Sequence, residues 1–540
     1  MSRTETTWLC AIAPVYVGWR IYWANRLPIT DCDEVYNYWE PLHFILYGYG
    51  MQTWEYAHQY ALRTYAYLLP LKLVAQIVTP VALRWAPFLV DHVVPHEKLA
   101  VFLLLRSFLG ASTAICELYI LWALSGHLAN THWVAFVLLL STGVNHSAAA
   151  FLPSSTWMMA WMLATALFLE NRHYSFVLVA VTATLMVGWP FGVVMLLPTG
   201  ISILWNDWRA GKLVATIGWT FLCTIIVQGT TMVIDHSYYG KWVSPTLNIF
   251  TYNAAGGGDE LYGVEPVSYY VKNLLLNLNI VAPLGMMALP LCIMCRRYTM
   301  LGVLSPLVLW LAITFPRPHK EERFLFPIYP LLIIGAIVTV DIVLDNIQKC
   351  LPLIKRLRTG LHAIVWTTSA LVSVSRTVAL SKYYGAPLLL YALAPDQPRE
   401  VICTCGEWYR FPGSFFLNGE LRFLPSSFRG QLPQPFKGSR PENIQQLQPF
   451  NDRNLEQTER YVDPSDCDWI VDLGGSECVS SLNVELIQTF PFLDADRTST
   501  LHRTLYLPFL HEQAMLDGRV SYLEYSLWRV KGGITDPSNL

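Results

Sequence analysis

Long apolar runs separated by short polar breaks occupy the chain from its N-terminus to about residue 380, and beyond that point the pattern changes. A membrane-crossing helix needs roughly 20 largely apolar residues, and cytosolic loops are enriched in Lys and Arg. Such runs stand at Trp8–Ala24, Val101–Leu124, Trp133–Val144, Trp157–Leu169, Lys212–Ile234, Tyr269–Met294, Thr299–Pro316, Phe324–Val343 and Leu361–Ala379. Tyr174–Trp205 is too long for one untilted span. Gly188-Trp189-Pro190 divides it in two, because proline cannot donate a helix hydrogen bond. The pattern predicts a mainly α, polytopic membrane protein of about eleven spans. Trp8–Ala24 reads as a retained signal anchor, since it carries Arg20 and lacks a small-residue cleavage site.

Charge sets the expected orientation. The basic loop Gln348–Arg358 is assigned to the cytosol. Counting spans from there puts Asn145–Thr156, the Gly188 turn, Asp235–Ser268 and His319–Arg323 in the lumen, with a large first lumenal loop at residues 25–98. Within that loop Arg63–Trp85 is apolar but broken by Pro70, Lys72 and Pro80, so helices on or dipping into the bilayer surface are expected. Residues 1–380 then form a transmembrane module. Residues 381–540 form a C-terminal lumenal domain, β-rich or α+β, from its short alternating runs at Val401–Phe411, Leu421–Leu424 and Trp469–Leu473.

Composition agrees with the pattern. Of 540 residues 53% are hydrophobic and 14% charged, too apolar for a soluble chain of this length. The net charge of −2 says nothing about nucleic acid, but no basic face is there to neutralise a phosphate backbone, so no nucleic-acid partner is expected. The only CxxC among the eleven cysteines, Cys292–Cys295, ends an apolar run with no second pair or histidines at zinc spacing and reads as structural. Cys403, Cys405, Cys467 and Cys478 share the tail, where an oxidising compartment would allow a disulfide such as Cys403–Cys467, although spacing does not settle the pairing. The only N-glycosylation sequon, Asn145-His146-Ser147, sits in a short turn close to the membrane.

Against this apolar background the first lumenal loop gathers five acids, Asp31, Asp33, Glu34, Glu40 and Glu55, among Trp39, Trp54 and Tyr56. Asp31-x-Asp33 has the form of a diphosphate-metal motif, but no nucleotide-binding pattern accompanies it, and no metal is expected. A lumenal carboxylate can instead take the proton of an acceptor hydroxyl. Asp33 is the first choice for that base and Glu34 the second. Asp31, Trp39, Glu40, Trp54, Glu55 and Tyr56 are expected to shape the substrate groove, the aromatics stacking on sugar rings. Helix capping is the ordinary alternative for one of these acids. His319-Lys320-Glu321-Glu322-Arg323 offers cationic donors to an anionic phosphate leaving group, with His319 and Arg323 four apart on one helix face. Interfacial snorkelling is the ordinary reading of such residues. Arg63 is a further phosphate candidate. Arg106 and Glu117 share one apparent span but lie three turns apart, so each is expected to meet another partner.

Longer stretches carry a resemblance: Asp31-CDEVYNYWEPLHF, Gln52-TWEYAHQYALRTYAYL, Phe151-LPSSTWMM, Gly188-WPF, Asp235–Asn248, Leu261-YGVEP, Pro318-HKEERFLFPIYP, Ser373-VSRTVAL, Glu407-WYRFP and Leu424-PSSFRGQLPQPF. With these the chain resembles the GT-C glycosyltransferases that use dolichyl-phosphate mannose. Within them it resembles the endoplasmic-reticulum α-1,2-mannosyltransferases of N-glycan precursor assembly, glycosyltransferase family 22. The resemblance implies a lumen-facing site in the endoplasmic-reticulum membrane, with dolichyl-phosphate mannose as donor and a dolichyl-diphosphate oligosaccharide as acceptor. It also implies inversion at the transferred mannose, addition of the seventh and ninth mannoses, and no cofactor or metal. Ala254–Asp259, with its three glycines, and the shorter Glu477–Thr489 depart from the family pattern. The rival readings are a sister GPI-anchor or α-1,6 mannosyltransferase and a lipid or sugar transporter. The transporter is disfavoured by the absence of matching hydropathy halves.

Overall fold

Every apolar run of the membrane module is helical in the computed structural model, which describes residues 7–85, 97–255, 258–394, 397, 400–436, 449–475, 477–480 and 482–531. Gly256 and Gly257, in the loop that departs from the family pattern, lie outside the described residues. Among the described residues four helices are long and apolar enough to cross a membrane: Glu97–Leu124, Leu213–Tyr239, Glu322–Cys350 and Leu353–Tyr384. The chain divides into two compact units. The first comprises Met1–Asn25, Ala61–Tyr67 and Arg106–Thr377; the second comprises Arg26–Tyr60, Leu68–Leu105 and Val378–Leu540. Much of the first loop, Arg26–Tyr60 and Leu68–Leu105, thus clusters with the tail in one unit.

In the first unit two interruptions shape the helices. The first is the expected one: the helix His173–Met186 stops before Gly188, whose φ of +71° is cheap only for glycine. Pro190 then opens a 3-10 segment, Pro190–Leu196. The second falls inside the run Tyr269–Met294, read above as one span. Val267–Leu278 and Val281–Met294 meet at an angle of 106°. Asn279 makes that bend at φ +45°, and its amide binds Ser369 O at 3.1 Å and Ser373 Oγ at 3.0 Å. An asparagine tolerates positive φ better than most residues and its side chain can bond local backbone.

Glu117 finds its partner in Arg20. The guanidinium meets the carboxylate at 2.7 and 3.1 Å, and both side chains are fully enclosed. It also donates to Asn145 Oδ1 at 2.5 Å and to Leu138 O and Leu139 O at 2.8 and 3.3 Å. Those carbonyls end the helix Thr131–Leu140 and have no partner within it, so Arg20 caps that helix as well as pairing Glu117. Asn145 therefore lies buried in the helix Thr142–Ser147 rather than in an open turn, with its amide facing inward.

The second unit holds strands β1 (Met51–Gln52), β2 (Val401–Thr404), β3 (Glu420–Phe423), β4 (Gln434–Pro435), β5 (Trp469–Leu473), β6 (Val484–Leu493) and β7 (Tyr522–Val530). Five of them form a mixed sheet of order β3-β2-β5-β7-β6. Strand β2 runs parallel to β3 and β5, while β7 runs antiparallel to β5 and β6. Disulfides Cys403–Cys467 and Cys405–Cys478 staple its buried face, the first being the pairing anticipated above. β1 pairs antiparallel with β4, which joins the first loop to the tail. Glu40, fully buried, makes the same connection: its carboxylate accepts Met51 N at 2.6 Å, Ser414 N at 2.5 Å and Ser414 Oγ at 2.9 Å. Burial raises its carboxyl pKa above the usual range, against the opposing pull of those donors. Beside it Lys98 donates to Tyr49 Oη at 2.5 Å, to Ser414 O at 3.1 Å and to Leu417 O. His43 is pushed down to about 3 by burial and then by Lys98, so it stays neutral.

Candidate active site

In the second unit the acid cluster begins with a tight turn. Asp31 is extended, at φ −118° and ψ +114°, and its Oδ1 accepts Asp33 N at 2.9 Å. That is N-cap geometry, and it opens the short helix Cys32–Glu34. A single π turn follows at Val35–Trp39, a form rare outside functional sites and insertions. The turn is closed across itself by Trp39 Nε1, which donates to Glu34 Oε1 at 2.9 Å.

This geometry sorts the predicted acids. Glu34 is 4% exposed and spends one oxygen on Trp39. Glu40 braces the chain from inside and is closed to substrate. Asp31 caps. Asp33 is half-buried at the start of the turn. The aromatics sort in the same way. Trp39 is fully enclosed, its ring packed on Phe102 and Phe415 at centroid distances of 4.7 and 5.9 Å, so it cannot stack on a sugar. Tyr56 is likewise buried, its hydroxyl donating to Asn37 O at 2.9 Å. Trp54, edge-on to Tyr60 at 5.2 Å, and Glu55 stay half-buried. These corrections share one cause. The first loop folds into the tail's core, and its largest side chains fill that core.

Asp31, Cys32 and Asp33 also bring three ligand-type atoms within 4.8 Å of one another. Hard divalent cations prefer six or more oxygens, and here a thiol and a carboxylate already capping the helix make a poor set.

In the first unit the cationic cluster does not lie on one helix face. Glu321 is extended, at φ −128° and ψ +148°, and the 3-10 segment Glu322–Ile328 begins only after it. His319 and Arg323 are gathered instead by Glu321, which His319 Nε2 approaches at 3.3 Å and Arg323 Nε at 2.5 Å. His319 Nδ1 lies 3.0 Å from Gly263 O. The Glu321 hydrogen bond raises the His319 pKa above its ordinary value, while burial and Arg323 pull the other way. Both cations keep partly accessible side chains, 19% for His319 and 12% for Arg323. Lys320 does not join them. It is buried, donating to Glu265 O at 2.9 Å and to Arg317 O, and so holds the loop rather than a phosphate.

Aromatic contacts set the Gly188 turn beside this cluster. Trp189 stacks on Phe324 at 6.0 Å and meets Trp310 edge-on at 5.4 Å, while Trp310 Nε1 donates to Phe324 O at 2.7 Å. Segment Ala61–Tyr67, which carries Arg63, is clamped to the same unit by residues of the Asp235–Asn248 stretch, none of which had been given an individual role. Asp235, fully buried, accepts Thr64 Oγ1 at 2.9 Å and Tyr65 N at 2.8 Å. Tyr239 Oη donates to Arg63 O at 2.7 Å and Asn248 Nδ2 to Ala61 O at 3.0 Å. The available signal was an acid ending a long apolar run, which resembles an ordinary helix end.

Comparison with known proteins adds an independent observation. The profile of the Alg9-like mannosyltransferase family matches residues 14–418. Alpha-1,2-mannosyltransferase ALG9 of Homo sapiens is 37% identical over 534 residues, covering 90% of this chain and 84% of that protein. Alpha-1,2-mannosyltransferase Alg9 of Drosophila melanogaster is 32% identical over 563 residues, covering 96% and 86%. Among solved structures, ArnT from Cupriavidus metallidurans bound to undecaprenyl phosphate overlaps with a TM-score of 0.47 at 12% identity, covering 78% of this chain and 86% of its own.

Proposed function

The chain belongs to the Alg9-like mannosyltransferase family, and from that premise we propose how it transfers mannose during N-glycan precursor assembly. The donor is dolichyl-phosphate mannose and the acceptor a dolichyl-diphosphate oligosaccharide, extended in α-1,2 linkage at the seventh and ninth mannoses. The reaction is a single displacement. Asp33 takes the proton from the acceptor 2-hydroxyl, whose oxygen attacks C1 of mannose as the bond to the dolichyl phosphate breaks, inverting that carbon. His319 and Arg323 donate hydrogen bonds to the phosphate as its charge develops. Arg63 is assigned a supporting contact to the same phosphate, and Trp54, Glu55 and Asp31 contacts to the acceptor.

One observation carries the assignment of the base. Of the four acids from Asp31 to Glu40, two are buried on donors of their own chain and one caps a helix, whereas Asp33 is half-buried at the head of the π turn. The pair gathered by Glu321 supports the phosphate role, since both side chains stay partly accessible, at 19% for His319 and 12% for Arg323.

The protein is a membrane protein, and we place it in the endoplasmic reticulum with about eleven spans and a lumenal site and tail. Two disulfides in the tail fit an oxidising compartment. No cofactor or metal takes part in the proposed step. Cells lacking the chain are expected to accumulate a lipid-linked oligosaccharide stalled at six mannoses. Purified protein given dolichyl-phosphate mannose and that acceptor should return an α-1,2 product. A stall elsewhere, or an α-1,6 product, would reassign the enzyme to a sister step.

A further inference from the structure

The tail carries an apolar surface that the transfer reaction does not use. The helix Pro508–Leu516 packs through Ala514 into a buried cluster with Ala379, Tyr383, Leu493 and Val520. The His511 ring stacks on Tyr383 at 5.9 Å, with its Nδ1 3.5 Å from the Tyr383 hydroxyl. Tyr383 lies in the last turn of Leu353–Tyr384, one of the helices long and apolar enough to cross a membrane. The short helix is therefore fastened to the end of a span, where a bilayer surface falls. Tyrosines crowd this end, as they do at membrane interfaces: Tyr383, Tyr506 and Tyr522 pack together at 5.9 and 6.2 Å. Lys382 donates to Tyr506 Oη at 3.0 Å, as an interfacial lysine reaching toward headgroups does.

The face turned away from this anchor is apolar and bare. Phe509 is 99% exposed and Leu516 83%, with Leu510 and Met515 at 55% and 43% on its flanks. Phe509 and Leu516 are seven residues apart, hence on one side of the helix, roughly opposite His511 and Ala514. Glu512 and Gln513 lie beside them and suit a headgroup region.

We infer that the Pro508–Leu516 helix is a monotopic anchor whose Phe509 and Leu516 enter the lipid surface at the end of the Leu353–Tyr384 span. A second copy fits less well, because a nine-residue helix offers far fewer side chains than the roughly 20–30 residues a side of a stable interface. The inference rests on that helix crossing the membrane and is independent of the catalytic assignments.

The test uses full-length protein in lipid vesicles, with the exposed cysteines Cys10, Cys295 and Cys350 changed to Ser. Phe509→Cys and Leu516→Cys are each labelled with an environment-sensitive fluorophore. Leu371→Cys, 67% exposed within the span, and Arg497→Cys, whose native side chain is 80% exposed, serve as lipid and water references. Labels at 509 and 516 should be quenched several-fold more by lipid-borne nitroxide than by aqueous iodide, like 371 and unlike 497. Iodide quenching equal to that at 497 overturns the anchor. Shielding from both quenchers also overturns it, with oxidative cross-linking between chains then pointing to a second copy. If 371 also behaves as water-exposed, the premise that the helix spans has failed along with the anchor.

Discussion

Replacing Arg20 with Leu removes a cation that does two jobs at once, and the cost can be worked from its contacts. The Arg20–Glu117 pair has 0% side-chain exposure on both sides, so Arg20→Leu leaves a buried carboxylate without its counter-ion. Breaking such a pair typically costs about 3–5 kcal/mol. It also uncaps Leu138 O and Leu139 O and leaves Asn145 Oδ1 without its donor, at about 1 kcal/mol or more each when enclosed. Together these approach the roughly 5–15 kcal/mol that holds a typical domain folded. Arg20→Leu is therefore expected to abolish recovery of folded protein or lower its thermal midpoint severely. The double variant Arg20→Leu/Glu117→Leu removes the stranded charge but not the lost caps, so it should recover about 3 kcal/mol or more of the single-variant loss. The assay is monodispersity and thermal unfolding in detergent or nanodiscs for wild type, both single variants and the double. Salt should hardly matter, since the pair is enclosed. If Arg20→Leu unfolds within about 1 kcal/mol of wild type, or if the two substitutions simply add, the buried pair is not the brace described.

Four further outcomes follow from the site and its surroundings. Asp33→Asn should lower transfer by about 10²–10⁴-fold with unchanged thermal stability, whereas full activity would remove Asp33 as the base. His319, whose pKa Glu321 raises, contributes stability that is complete below pH 6.5 and disappears as pH rises through its raised value, and its proposed hold on the phosphate is expected to follow the same course. A pH–rate profile should show that alkaline fall, and Glu321→Gln should move it to lower pH; an unmoved limb assigns it to another group. Asn145→Gln should leave gel mobility unchanged with or without glycosidase, because the sequon amide is buried; a mobility shift would contradict its placement. Chelation with EDTA should leave transfer at its starting rate, and a loss restored by added divalent cation would revive the Asp31–Asp33 metal reading.

Much of the helical part was legible because its signals are local. An apolar run long enough for the bilayer must satisfy its own backbone, so each such run folds as one helix or as consecutive helices. Gly188 and Pro190 interrupt one run through their own backbone restrictions. In the tail, the runs at Val401, Leu421 and Trp469 became β2, β3 and β5, and Cys403 joined Cys467. β6 and β7 passed without assignment, although they are longer.

The site was less legible because burial depends on partners far away in the chain. Arg20 reaches Glu117 across 97 residues, and Glu40 reaches Ser414 across 374. Nothing in the local pattern distinguishes Glu40 from Asp33, or Lys320 from Arg323. Sequence periodicity marked a polar cluster on an apolar chain and the helices that carry it. Long-range packing then turned Trp39, Glu40, Tyr56 and Lys320 inward as braces and kept Asp33, His319 and Arg323 at least partly accessible. The physical reason is that a charge enters a protein interior only where distant donors or counter-charges await it, and chain order does not record where those partners fold.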